Sequence, residues 1–292
     1  MKYTLKPLIL GAEVEGIKLS ETIPHSTVES LKEDVTKHKL LVFRDQGKLT
    51  AERQVEITEW FGELETVGFE CHPKCSHPKV LRLSNDATEG YKGFGNKGFH
   101  IDGSFLEKPN SYSIYHIITP NRGKTIFVSL NAVWKGLSKQ QKQKWKELYV
   151  VKKWGRDKQG NRMPPGSIVH PLVYRHPLTH EKTLCVHLGK TAYFNYRYKQ
   201  PDERLLNEEE SAEIIREIKK QFDRNNKELQ YGHEWQPGDF IITDNLALGH
   251  VADEATQQDP SVVGLRILHR TVTKGTHRPV SCASSTTKCK LL

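Results

Sequence analysis

His100 and Asp102 stand two residues apart in the stretch Phe99-His100-Ile101-Asp102-Gly103-Ser104-Phe105. On an extended chain residues i and i+2 face the same side, so this imidazole and this carboxylate can address one point. That is two thirds of a metal site; an ordinary loop pair of His and Asp is the competing role. Far along the chain, Trp235-Gln236-Pro237-Gly238-Asp239 leads into a strand-like run and then into Asp244-Asn245-Leu246-Ala247-Leu248-Gly249-His250. His250 falls just after that strand and a glycine. A remote imidazole of this kind completes a two-His, one-carboxylate face, which leaves three adjacent coordination positions open and suits non-haem Fe(II). A solvated turn histidine is the other role open to His250.

A second chemical pattern lies in Leu265-Arg266-Ile267-Leu268-His269-Arg270. Strand alternation places Arg266, Leu268 and Arg270 on one face, with the two arginines roughly 13 Å apart. Turned inward, they need two anions, because unpaired buried charge is costly and the planar guanidinium fork matches carboxylates. Turned outward, they are a solvated face.

Residues so far apart in sequence must be brought together by the fold. Ser26 to His38 carries Ser26 and Glu29 at capping-box spacing and Val28, Leu31 and Val35 on one helical face. Thr50 to Phe61 reads as a second helix stopped by Gly62, Ser138 to Tyr149 as a third with Ser138 and Gln141 as its capping box, and Glu208 to Asn225 as a fourth. Between them lie short β-branched or aromatic runs: Lys39 to Arg44, Val80 to Leu83, Tyr112 to Ile118, Thr125 to Ser129, Val169 to Tyr174, Phe240 to Thr243 and Leu265 to Val272. The Gly/Pro-rich stretch Trp154 to Gly166 and the polar stretch Gly189 to Asn207 read as loops. Many short strands with a few surface helices predict a mainly β fold with flanking helices, a jelly-roll or cupin-like barrel whose mouth is a usual ligand site. No repeat or linker divides the chain, so residues 1–292 are expected to form one domain, with helical and loop insertions at about 130–167 and 189–232.

Composition narrows the partners. The 292 residues carry 44 Lys and Arg against 35 Asp and Glu, a net charge of +9, with no Lys/Arg block and no aromatic RNA-binding signature. Nucleic acid is therefore not the expected partner, although a non-catalytic basic barrel binding a polyanion is a competing class. No apolar run reaches the roughly 20 residues of a transmembrane helix, and Glu13 and Glu15 follow the short apolar patch at the start, so a cytoplasmic location is expected. Five cysteines make no dense disulfide framework and read as free thiols; Cys71, His72, Cys75 and His77 crowd together, but without a second ligand pair they read as a solvated loop rather than a zinc site.

Taken in order, these residues resemble the taurine/2-oxoglutarate dioxygenase family, Fe(II)- and 2-oxoglutarate-dependent oxygenases on a double-stranded β-helix. The resemblance spans most of the chain and rests on Phe61-Gly62, His100-Ile101-Asp102 with Phe105-Leu106-Glu107-Lys108-Pro109, Gly123-Lys124-Thr125, His170-Pro171 with His176-Pro177, Trp235-Gln236-Pro237, Asp244-Asn245, His250 and Arg266 to Arg270. It implies that His100, Asp102 and His250 bind Fe(II), and that Thr125 and Arg266 hold the distal carboxylate of 2-oxoglutarate. It also implies that Arg270 and Asn96 face the substrate. The reaction implied is oxidation of a substrate C–H bond by O2, with release of succinate and CO2. Related halogenases lack the carboxylate ligand, so Asp102 disfavours halogenation.

The departures bear on substrate. Where the taurine enzymes place a sulfonate-binding histidine after the Phe-Gly pair, this chain has Val67 or Gly68, and an aromatic pocket position falls on Lys190. Arg270 with Lys190 favours a small anionic, carboxylate-bearing, amino-acid-derived substrate; a surface lysine on a loop is the other role for Lys190. Oxidative ring closure of an N-prenylated acidic amino acid, as in algal kainoid synthases, is one reaction that such a pocket would suit. Oligomeric state is not readable from the chain.

Overall fold

The short apolar runs pair into sheets that place the His-x-Asp segment between them. The structure, a computed structural model, describes residues 2–66, 71–157 and 161–282; Val67, Gly68 and Cys289 lie outside them. The largest sheet has seven strands in the spatial order Thr4–Pro7, Ala12–Glu15, Leu40–Phe43, Phe240–Asp244, Tyr112–Thr119, Ile267–Val272 and Leu81–Ser84. A three-stranded antiparallel sheet sets Lys124–Ser129 between Gln230–Glu234 and Leu248–Ala252. A four-stranded sheet runs Val169–Pro171, Leu148–Lys152, Thr191–Tyr196 and Arg204–Leu205, and a hairpin joins Val173–Arg175 to Lys182–Leu184. The molecule is thus mainly β, with helices flanking the sheets.

The helices cover the sheets through their apolar faces. His25–His38 buries Val28, Leu31 and Val35, and Glu208–Phe222 buries Ile214, Ile218 and Phe222. Lys139–Lys146 is started by a complete Ser138–Gln141 capping box and buries Trp145, as the sequence pattern predicts. The expected Ser26–Glu29 box does not form: the helix begins at His25 with Pro24 as N-cap, so Ser26 already lies within the first turn and cannot cap it. The third helix is also shorter than expected, because Tyr149 belongs to the Leu148–Lys152 strand.

The two stretches read as loops contain pairing backbone. Gly189 to Asn207 holds Thr191–Tyr196, which pairs with Leu148–Lys152, while Trp154 to Gly166 holds the small pair Gly155–Arg156 and Arg162–Met163. The polar sequence of the first hides a strand whose partner is remote in sequence, whereas the second pairs within itself.

Two main cores result. One gathers Ile101, Val128, Val150, Val186, Phe194 and Trp145 beneath the four-stranded sheet, and the other packs the first helix on Leu41, Phe43, Phe240 and Ile242. Ile101, between the two metal-site candidates His100 and Asp102, is fully buried in the first. Burying one such side chain contributes about 1.5–3 kcal/mol.

Candidate active site

His100 is held on both sides by backbone. Its N–H donates to the His250 carbonyl at 3.1 Å and the His250 N–H donates back at 2.9 Å, while Ile101 donates to Val186 O at 3.1 Å and Leu188 to Phe99 O at 3.0 Å. Residues 99–101 therefore bridge the Leu248–Ala252 strand and the 186–188 segment. His250 lies inside that strand, not in the turn after the preceding one. The reason is local: the Asp244 carboxylate accepts from Leu246 N–H and the Asp244 carbonyl from Ala247 N–H, closing a tight turn early enough for Leu248 to begin a new strand.

Asp102 follows at the start of a turn that only glycine can complete. Gly103 has φ +68°, and a Cβ there would stand 2.3 Å from Asn110 Oδ1. Asn245 clamps this turn, accepting from Asp102 N–H at 2.8 Å and donating to the carbonyls of Asp102 at 3.0 Å and Asn110 at 2.7 Å.

The three side chains converge. Ligand-type atoms of His100, Asp102 and His250 all lie within 4.8 Å of one another, and all three residues are buried. His100 Nδ1 lies 2.9 Å from Gly98 O and donates to it, a bond that leaves Nε2 as the acceptor nitrogen. His250 Nε2 lies 3.7 Å from Asp102 Oδ2 and 3.2 Å from the Tyr115 hydroxyl. Asp102 Oδ2 accepts from Ser113 Oγ at 2.7 Å.

Electrostatics give these groups the protonation states that a cation needs. Burial alone would raise the Asp102 carboxyl, but the Arg270 charge, helped by the neighbouring imidazoles and the Ser113 hydrogen bond, outweighs it and holds the group well below the usual carboxylate range. Burial lowers His100, against the pull of Asp102, and takes His250 down to about 3. Two neutral imidazoles and one ionised carboxylate are the donor set of a facial triad, so the residues fit Fe(II).

The two arginines are both turned inward, although a register shift between Ile267 and Leu268 interrupts the simple alternation and the strand begins at Ile267. Arg270 Nη1 lies 2.5 Å from Asp102 Oδ1. Arg266 is 3% exposed, and its Nε has no hydrogen-bond partner. Asp253 is the carboxylate that supports its charge, and Asp253 N–H bonds Lys124 O, next to Thr125. Thr125 is buried and accepts from Trp235 Nε1 at 3.1 Å. A buried guanidinium with an unpartnered Nε fits the distal carboxylate of 2-oxoglutarate.

Lys190 is not a plain surface lysine. Its Nζ lies 4.6 Å from the ring centroid of Trp154 and 5.3 Å from that of Phe105, and burial together with Arg270 lowers its affinity for a proton. Asn96, by contrast, is exposed on the loop ahead of His100. The structure also adds side chains that sequence spacing does not flag. His187 is buried and stacks on His100 with ring centroids 4.8 Å apart, and Tyr115 and Ser113 project from the Tyr112–Thr119 strand onto the triad. The alternation of that strand was readable, but nothing in it distinguished these polar positions from a solvated face.

The other candidate cluster is internally satisfied. Cys75 is buried, the Cys71 thiol donates to Cys75 O, the Cys75 thiol bonds His77 O and Val80 O, and Nδ1 atoms of His72 and His77 accept backbone N–H groups. Cys71, Cys75, Cys185 and Cys282 are free thiols. Among the described residues the triad is the one group of three or more His, Cys, Asp or Glu placed to hold a metal, and no helix is long and apolar enough to cross a membrane.

The chain is similar to known proteins. A model of the taurine catabolism dioxygenase TauD, TfdA family matches residues 3–272. The alkylsulfatase of Acinetobacter baylyi is 27% identical over 290 residues, covering 92% of this chain and 84% of its own. The alpha-ketoglutarate-dependent 2,4-dichlorophenoxyacetate dioxygenase of Cupriavidus pinatubonensis is 25% identical over 278 residues, covering 86% of this chain and 92% of its own. A taurine dioxygenase structure from Burkholderia xenovorans superimposes with a TM-score of 0.74 at 24% identity, covering 96% and 93% of the two chains, which establishes the likeness of fold. With a family match over nearly its whole length and the His-Asp-His site in place, the chain belongs to the taurine catabolism dioxygenase TauD, TfdA family, oxidoreductases that use Fe(II), 2-oxoglutarate and O2.

Proposed function

We propose that this enzyme oxidises a C–H bond of a small carboxylate-bearing, amino-acid-derived substrate, with release of succinate and CO2, on a double-stranded β-helix formed by its sheets. The observation that carries the substrate class is the pair of cations, Arg270 and Lys190, set beside the buried triad. When bound, iron with 2-oxoglutarate and O2 supplies the oxidation. The chain's own residues do the rest. His100, Asp102 and His250 hold the metal, and Thr125 with Arg266 fixes the distal carboxylate of the co-substrate. Arg270 turns from Asp102 to the substrate acid group, Lys190 adds a second charge from the Trp154 and Phe105 side, and Asn96 lies at the pocket rim. Phe105 and Trp154, with centroids 4.3 Å apart, form an aromatic wall beside the Lys190 ammonium. The names of two relatives, an alkylsulfatase and a 2,4-dichlorophenoxyacetate dioxygenase, point to anionic compounds with different carbon skeletons, which supports an acid group on the substrate here.

A direct test incubates the Fe(II)-loaded protein with 2-oxoglutarate and a panel of N-substituted acidic amino acids, N-prenylated glutamate among them, and follows succinate and the organic product by mass spectrometry. Succinate release stimulated by an acidic amino-acid derivative is expected, and a product two hydrogens lighter with an added ring would identify oxidative ring closure. Asp102→Ala is expected to lose both metal and substrate-dependent succinate. Normal succinate production by that variant, or stimulation by neutral compounds only, would contradict the assignment.

A further inference from the structure

Lys152 ends the Leu148–Lys152 strand, is 1% exposed, and its Nζ has no hydrogen-bond partner. Strand alternation puts it on the side of Leu148 and Val150, which pack into the core that holds Ile101 and Val186, the neighbours of the triad. Backbone ties bring it beside the substrate pocket. Lys152 pairs with Thr191, and Lys153 N–H donates to Lys190 O at 3.1 Å. Its charge bears on His187, the ring stacked on His100, and on His170 at its other flank.

Nothing in the described protein neutralises this ammonium. The charged or ionisable side chains that act on it are the buried Cys185 thiol and another cation, Lys190. Burial takes it down to about 8, so it is still mainly protonated at neutral pH, and an anion beside it would hold it so. An unpaired buried cation weakens a fold unless a ligand answers it. Arg270 and Lys190 are already assigned to one acid group, and Lys152 comes from a different strand.

We propose that Lys152 anchors a second carboxylate, so that the substrate is a small dicarboxylic acid held by Arg270 and Lys190 at one end and by Lys152 at the other. The inference rests on the function proposed above and narrows its substrate class. Lys152 is a specificity-determining residue, and its charge reads the number of acid groups.

The test measures binding by calorimetry to the full chain loaded with Mn(II) and 2-oxoglutarate under anaerobic conditions. The probes are N-(3-methylbutyl)glutamate and its two monoamides. The wild type is expected to bind the dicarboxylate at least about 10-fold more tightly than either monoamide. Lys152→Met is expected to bind the dicarboxylate no better than the weaker monoamide, to keep its 2-oxoglutarate affinity, and to melt at the same or a higher temperature without ligand. Lys152→Gln serves the same comparison if the Met variant does not fold. Retained discrimination in either folded variant overturns the proposal, as does a selective loss of 2-oxoglutarate binding, which would assign Lys152 to the co-substrate. A wild type that binds 2-oxoglutarate but no probe, or a monoamide as well as the dicarboxylate, removes the two-acid substrate while leaving the oxygenase assignment standing. Failure of the metal-loaded wild type to bind 2-oxoglutarate would instead sink the assignment on which the proposal rests.

Discussion

Arg266 shows how a single residue can carry a structural cost that only a ligand explains. Its guanidinium is buried, its Nε is unsatisfied, and burial lowers its proton affinity to about 10, which still leaves it charged at neutral pH. Arg266→Met is therefore expected to weaken 2-oxoglutarate binding by about 2–5 kcal/mol, the usual loss on truncating one partner of a buried charge pair. The unliganded variant should unfold at nearly the same denaturant concentration as the wild type, because it gives up the Asp253 attraction together with the cost of burying the charge. Calorimetric titration with 2-oxoglutarate and a urea melt check the two halves; an unchanged affinity would remove Arg266 from the co-substrate site. Arg270 differs because Asp102 already partners it, so its loss leaves a metal-ligand carboxylate less restrained.

At the scale of elements, the triad depends on how the turn at Asp102 is clamped to the turn at Asp244. Asn245 makes three buried hydrogen bonds across that junction, two of them to the backbone of Asp102 itself. Replacing it with alanine leaves one donor and two acceptors buried without partners, each costing about 1–3 kcal/mol. Asn245→Ala is expected to lower metal affinity by about 10–100-fold, the range for groups that orient a ligand without touching the metal. Competition against a chromophoric chelator reads that loss; full metal affinity in a folded variant would show that the turn holds itself. Gly103 belongs to the same unit, since its positive φ and its contact with Asn110 leave no room for a side chain.

Across the whole molecule, several imidazoles are buried in neutral form. Burial, together with the nearby Lys152 and Arg82 charges respectively, takes His170 and His269 down to about 3, against 6.5 in the unfolded chain. The unfolded state therefore binds protons that the folded state refuses as pH falls below about 6.5. Their contribution is complete above that value and declines toward pH 3, by up to about 1.4 kcal/mol per histidine per pH unit. Urea melts from pH 7.5 to pH 4.5 are expected to show stability falling with acid below about pH 6.5. A flat profile would mean that these rings become protonated in the folded protein.

The order of the chemical motifs, the inward His-x-Asp pair, most central strands and the third helix's capping box were legible in the chain, because each depends on neighbours within a few residues. Tertiary contact decided what local pattern leaves open. The strand character of Thr191–Tyr196 comes from a partner some forty residues earlier in sequence, and the N-terminus of the first helix was set by Pro24, not by the Ser26 spacing. Residue type marked Arg266, Arg270 and Lys190 as cations, but burial alone separates an inward charge from a solvated one. His187, Tyr115 and Lys152 carry no local signal, since their chemistry arises from convergence of distant strands. Sequence determined which ligand atoms this protein owns; only folding, by removing water and joining remote backbone, decided which of them meet and which remain unpaired for a ligand to answer.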